Sequence, residues 1–155
     1  MIVLIGPAGS GKSTFASSQP SDHVVELDSL RALVTGGDAG DQGATAEAVK
    51  IQDIVVTARL VRANPLVIDS TNAEARVRAH LLQQARLYGR RTRAVVFVTP
   101  LEECLRRNAE RPASRRVPDD VLRWQHQLVA EALPGLTDEG FDEVHLHTAS
   151  ATAIP

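Results

Sequence analysis

The sequence predicts an α/β fold built on a parallel sheet of about five strands flanked by helices. Two patterns carry that expectation. Short runs of β-branched and apolar residues alternate along the chain with segments of helical periodicity. The first run, Ile2 to Ile5, is continuous rather than alternating, as a strand covered on both faces requires. A third observation fixes the starting point: a glycine-rich turn stands between the first apolar run and the first helix. At 155 residues and 43% hydrophobic content the chain suits one domain with a full core, and we expect that domain to span residues 1–155.

The first run is Ile2 to Ile5, ended by Gly6. After the glycine-rich turn, Thr14 to Ser18 can form only a short helix before Pro20 stops it. Val24 to Leu27 reads as the second strand, with Asp28 at its carboxyl end, the end where open α/β sheets bind ligands. A brief helix over Leu30 to Val34 leads into Gly36 to Gly43, the segment richest in turn residues. From Ala44 to Ala63 apolar residues, among them Val49, Val56 and Leu60, recur at helical spacing until Asn64-Pro65. Leu66 to Asp69 is the third strand, and Ser70-Thr71-Asn72 turn into a helix from Ala73 to about Tyr88, closed by Gly89. Thr92 to Val98 is the fourth strand. A helix from Leu101 to about Arg111 ends at Pro112, and Pro118-Asp119-Asp120 opens the next, which runs to about Leu133. Glu143 to His147 is the last strand.

Gly6-Pro7-Ala8-Gly9-Ser10-Gly11-Lys12-Ser13-Thr14 fits the phosphate-loop pattern of glycine, four residues, glycine, lysine and a hydroxyl residue. The glycines let successive N–H groups turn inward around a phosphate. Lys12 supplies charge to the β- and γ-phosphates, Ser13 offers a hydroxyl to Mg²⁺, and the following helix adds its positive end. A nucleoside-triphosphate site follows, with ATP and Mg²⁺ as the expected cofactors. Asp69, closing a hydrophobic strand, suits the acid that holds Mg²⁺ in such sites, although it can also cap the next helix. Asp28 suits a carboxylate that orients an acceptor hydroxyl and takes its proton, or again a helix cap. Arg31 lies on the same side of that turn and could hold an acceptor phosphate. Arg107 and Arg111 are four apart on one exposed helix face, with Arg115 and Arg116 beyond Pro112, so residues 107–118 suit an arginine lid over a triphosphate. Packing is the simpler account of Trp124, His126 and Cys104. His145 and His147 read as an exposed strand face.

These segments together resemble the 5′-hydroxyl polynucleotide kinases, especially the kinase module of bacterial end-healing RNA-repair enzymes. The likeness runs through Leu4 to Ala16, Asp28 to Arg31 with Leu33-Val34, Val67 to Asn72, Val95 to Phe97, and Cys104 to Arg111 with Arg115 and Val117. It implies a P-loop NTPase fold, an adenylate-kinase-like sheet under an arginine lid. It also implies Asp28 as general base, with Lys12 and Arg111 completing the catalytic set. Arg31 and Asn72 would meet the substrate, Ser13 and Asp69 the metal, and Arg107, Arg111 and Arg115 the donor phosphates. The implied reaction moves the ATP γ-phosphate to a 5′-hydroxyl of RNA or DNA.

A net charge of −2 provides no global pull toward nucleic acid or membrane, and three Phe, one Tyr and one Trp leave little for stacking bases. Two further readings therefore stand beside the first. One is a small-molecule kinase such as the chloramphenicol phosphotransferases, gluconate kinases or zeta-toxin group. The other is a nucleotide-dependent switch ATPase with no acceptor. No apolar run approaches membrane-spanning length, Cys104 has no partner for a disulfide within the chain, and the first strand leaves no room for a leader, so a cytoplasmic protein is expected.

Overall fold

The computed structural model describes residues 1–148; residues 149–155 of the expected domain lie outside it. Five strands form one parallel sheet: β1 (Ile2–Ile5), β2 (Val24–Glu26), β3 (Val67–Asp69), β4 (Arg93–Phe97) and β5 (Glu143–His147). Their order across the sheet is β2-β3-β1-β4-β5. The chain leaves β1 for one side of the sheet, fills it with β2 and β3, then crosses to the other side for β4 and β5. β1 is thus the point where strand order reverses, and the turn after it opens where such sheets bind ligands.

Helices α1 (Lys12–Ser17), α2 (Leu27–Thr35), α3 (Thr45–Val61), α4 (Ala75–Leu87), α5 (Leu101–Ala109), α6 (Asp119–Ala132) and α7 (Leu136–Glu139) connect the strands. Val3 and Ile5 of β1 pack into one core with Ile68, Val96, Leu60 and Leu81. Leu4 faces the other way, against Val67, Val95 and Phe97. Both faces of the central strands are therefore covered by apolar residues, which is why the β1 run is continuous. The edge strand β5 carries Glu143 and His145, with Glu143 bonded by Arg93 at 2.6 Å. Charge on an edge discourages pairing with another chain. Among the described residues no helix is long and apolar enough to cross a membrane.

Two helices differ from expectation. α2 begins at Leu27, so Asp28 lies in the first turn of a helix rather than at a strand end. An acid is favoured there by the helix dipole. In α3 the buried stripe is Ala48, Gln52, Val56 and Leu60, whereas Val49 stands 37% exposed. A strict four-residue repeat sets that stripe, one residue before the valine that the periodicity suggested.

Arg78 on α4 is 1% exposed and is tied down at every end. It donates to the Asn72 and Ala73 carbonyls and makes a two-pronged pair with Glu139 of α7 at 2.6 and 2.7 Å. One guanidinium thus holds the turn after β3 to the far end of the chain. Replacing it strands two carbonyls and a carboxylate together. Arg78→Met should lower unfolding free energy by about 3 kcal/mol, at the modest end for a broken buried pair because Glu139 is partly solvated; chemical denaturation followed by circular dichroism measures it.

Candidate active site

The loop after β1 is held from three sides. Gly9 and Gly11 adopt left-handed φ values of 76° and 103°, which glycine reaches without strain. A Cβ on Gly9 would stand 2.5 Å from the Cys104 carbonyl oxygen, so α5 packs directly on the loop backbone. Thr99, just past β4, donates its hydroxyl to the Ser10 carbonyl at 2.8 Å, and Gln125 of α6 accepts from the Ala8 N–H at 3.1 Å. The turn after β3 completes the cradle. Gly6 N–H donates to the Thr71 carbonyl at 3.0 Å, and the Asn72 amide donates to the Leu4 carbonyl at 2.7 Å. Asn72 holds φ 45°, a conformation its short polar side chain tolerates.

Lys12 is 8% exposed, and its ammonium donates to the Gly6 and Pro7 carbonyls at 2.8 Å each. Burial lowers its pKa to about 8, opposed by the Asp69 carboxylate. Burial in turn raises Asp69, with Lys12 and the Ser13 hydroxyl pulling it back. Asp69 and Ser13 present two hard oxygen donors beside the lysine. That set suits Mg²⁺, which takes one or two protein oxygens and fills the rest with phosphate and water.

Two cavities meet at this point. One of about 540 Å³ lies over Gly9 to Phe15 and is bordered by Arg107 and His147. The other, about 700 Å³, is lined by Asp28, Arg31, Asp69 and Asn72, and by Arg115 beyond α5. Lys12, Ser13 and Arg111 border both. The Arg111 side chain has no hydrogen-bond partner among the described residues and sits near enough to Lys12 to depress its pKa further.

The sequence-derived site residues fall into three groups. Residues 6–14, Lys12, Ser13, Asp69 and Arg111 converge where the cavities join. Asp28 lies in the larger cavity, held by two arginines: an ion pair with Arg31, and a 3.3 Å contact with Arg115. Arg31, 8% exposed, also donates to the Ala39 carbonyl at 3.0 Å, so it orders the turn-rich segment before α3 as well as the carboxylate. Arg107 departs from the exposed lid face assigned to it. It is half-buried, pairs with Glu103 at 2.6 Å and approaches the Gly9 carbonyl at 3.4 Å. α5 ends at Ala109, so Arg111 leaves the helix while Arg107 packs onto the loop.

Two residues escaped sequence reasoning, and a third was read as packing. Asn108 is fully buried and brackets Val117 with two backbone bonds of 2.7 and 3.0 Å, closing the 108–117 segment into a loop. Gln125 anchors α6 to the phosphate loop. Trp124 is not core: it is 49% exposed and lines the larger cavity. Asparagine on the buried face of a helix is a weak sequence signal for a bond to backbone; the other two carry none.

Because the Gly9 position is crowded by backbone rather than by a movable side chain, Gly9→Ala should weaken nucleotide binding by about tenfold or more while leaving the fold intact. Calorimetric titration beside a circular dichroism spectrum checks both halves.

Comparison with known proteins agrees with this architecture. A solved structure from the PezAT chromosomal toxin–antitoxin system of Streptococcus pneumoniae superposes with a TM-score of 0.74 at 17% identity, covering 96% of this chain and 68% of that one. No curated protein matches the sequence. The family model described as AAA domain matches residues 1–132, from β1 to the end of α6. With its phosphate loop at the switch point of a five-stranded parallel sheet, the chain belongs to this AAA domain family of P-loop proteins.

Proposed function

We propose that the protein is an ATP-dependent phosphotransferase that moves the γ-phosphate to a hydroxyl of a compact acceptor held in the larger cavity. One observation carries this reading: Lys12, Ser13 and Arg111 border both cavities, whereas Asp28 borders only the larger. A donor in one and an acceptor in the other would meet at the groups suited to a transferring phosphoryl.

The roles follow from chemistry. Lys12 and Arg111 neutralise charge on the γ-phosphate oxygens. Mg²⁺ held by Ser13 and Asp69 would offset further phosphate charge. Asp28 orients the acceptor hydroxyl and takes its proton as the oxygen bonds to phosphorus and the bond from phosphorus to the β–γ bridging oxygen breaks, leaving ADP with the electron pair.

The acceptor side favours a small molecule over a polynucleotide end. A groove that tracks a phosphate backbone is lined with positive charge. Here Glu26, Asp53 and Glu74 line the cavity beside Arg76, Arg115 and Arg116. The 36–43 segment also abuts the lid, since a Cβ on Gly40 would run into the Ser114 carbonyl. That contact encloses the cavity. Among small-molecule kinases the zeta-toxin group is the alternative supported by the likeness to a toxin–antitoxin structure.

The test supplies γ-labelled ATP and Mg²⁺ with a panel of small alcohols and, in parallel, with 5′-hydroxyl oligonucleotides. Label should reach a small acceptor, and Asp28→Ala should cut transfer by about 10²–10⁴-fold with ATP affinity unchanged. Transfer should change by less than about twofold between 50 and 200 mM salt, because no run of acceptor phosphates is gripped. Labelled oligonucleotides with a steep salt dependence would replace this reading with the polynucleotide one. ATP hydrolysis without transfer, unaffected by Asp28→Ala, would make the protein a switch ATPase.

A further inference from the structure

We infer that Gln125 is a positioning residue for Lys12: from α6 it fixes the Pro7–Ala8 peptide, and that peptide holds the ammonium where a triphosphate would meet it. The inference rests on the phosphotransferase reading only in giving Lys12 a phosphate to meet.

Two hydrogen bonds fall on this one peptide unit. Its carbonyl, on Pro7, accepts from the Lys12 ammonium at 2.8 Å. Its N–H, on Ala8, donates to Gln125 Oε1 at 3.1 Å. A trans peptide is rigid and planar, with C=O and N–H pointing in opposite directions, so turning one end turns the other. A backbone N–H can only donate, which identifies the accepting end of the Gln125 amide as its oxygen. Ammonium, peptide and amide thus stand in line. In such a line each bond polarises the next, and the charge on Lys12 makes the Ala8 N–H a better donor to Gln125.

The loop alone leaves this peptide loosely determined. Proline fixes its own φ, yet the plane after it can still rotate about the Pro7 ψ and Ala8 φ angles. Within the loop the Ser10 N–H reaches the Pro7 carbonyl at a long 3.3 Å. That bond and the lysine both act on the carbonyl end, whereas Gln125 acts on the N–H end. The other carbonyl on the ammonium is that of Gly6, at 2.8 Å, and its peptide ends in a proline nitrogen that carries no hydrogen. Gln125 therefore grips the one of the two peptides that offers an N–H.

Burial makes this orientation matter. At 8% exposed, Lys12 depends on fixed carbonyl dipoles in place of water. The helix supplies the fixed point. The next residue, His126, has its Nε2 3.2 Å from the Thr99 carbonyl, and the Thr99 hydroxyl donates to the Ser10 carbonyl at 2.8 Å. Consecutive residues of α6 thus meet the loop directly at Ala8 and through Thr99 at Ser10, on either side of Gly9. Gln125 also lines the larger cavity, so a molecule there would lie against the side chain that sets the ammonium.

Lys12 can be read directly, because the only other lysine is the exposed Lys50. Protein carrying nitrogen-15 in its lysine side chains is observed by NMR without nucleotide at about pH 6, where both lysines are charged. Lys50→Arg assigns the Lys12 ammonium signal, which should exchange its protons with water more slowly than that of Lys50. Gln125→Met keeps the length and removes the acceptor, and exchange at Lys12 should quicken by about fivefold or more. Gln125→Glu keeps an oxygen for the Ala8 N–H and should stay within about twofold of the wild type. Gln125→Asn, one carbon shorter, should follow the methionine variant and covers the case in which methionine unfolds the protein. A role in packing alone predicts the reverse order, since methionine fills apolar space better than a carboxylate. That reverse order, exchange unchanged in both the methionine and asparagine variants, or a Lys12 signal no better protected than Lys50 would each overturn the proposal. Because neither nucleotide nor turnover enters the measurement, a protein that shows the expected order but transfers no phosphate would remove the phosphotransferase reading and leave this one standing.

Discussion

A buried ammonium governs the architecture of this protein. Lys12 is withdrawn from water and held against the Gly6 and Pro7 carbonyls, and burial drags its pKa toward neutrality. Such a charge is tolerable only where the surrounding backbone is rigid and oriented, because dipoles that could relax away would leave it unsolvated. The rest of the molecule supplies that rigidity. α5 presses on Gly9, Thr99 reaches Ser10, Gln125 reaches Ala8, and the turn after β3 reaches Gly6. Each contact comes from a different element, so the loop is determined by the whole fold rather than by its own sequence.

The same constraint explains why the turn after β3 is so heavily bonded. Thr71 and Asn72 stitch it to β1 on one side, and Arg78 ties it through Glu139 to α7 on the other. Asp69 stands at the head of this turn, where its carboxylate faces the lysine. A carboxylate free to swing would quench the ammonium outright. Fixed at the end of a strand, it opposes the effect of burial on Lys12 without neutralising it.

The phosphate loop was legible in the sequence because its information is local. The phosphate loop needs particular backbone angles and one cation within nine consecutive residues, and both are written into residue type. Strand and helix alternation is likewise local, and it led to the five-stranded parallel sheet. The larger cavity is assembled from α2, α3, α6 and the turn after β3, and its residues gain meaning only from what they face. Trp124 looked like core, yet it is half exposed and lines the larger cavity. Val49 fitted the periodicity that Ala48 in fact sets. Arg107 misled for a related reason: spacing placed it with Arg111 on one helix face, but the helix ends between them. Pro112 foretold that break only to within a turn.

The two arginines on Asp28 differ in a way that gives the proposed reaction its order of events. Arg31 is almost wholly buried and also grips the Ala39 carbonyl, so breaking its pair would leave a desolvated cation. Arg115 is half exposed, reaches Asp28 at 3.3 Å, and lies in the short turn between α5 and α6. An exposed pair of that length contributes little, and water readily replaces either partner. The carboxylate therefore has one oxygen permanently oriented and one that can be released. A triphosphate entering beside Lys12, which borders the same cavity as Arg115, would on the phosphotransferase reading offer that guanidinium a denser negative charge than Asp28 does, and the exchange would proceed while Asn108 keeps the 108–117 segment anchored. On the phosphotransferase reading, donor binding would thus uncover the base at the moment a phosphoryl group becomes available, which couples readiness of Asp28 to occupancy of the nucleotide site.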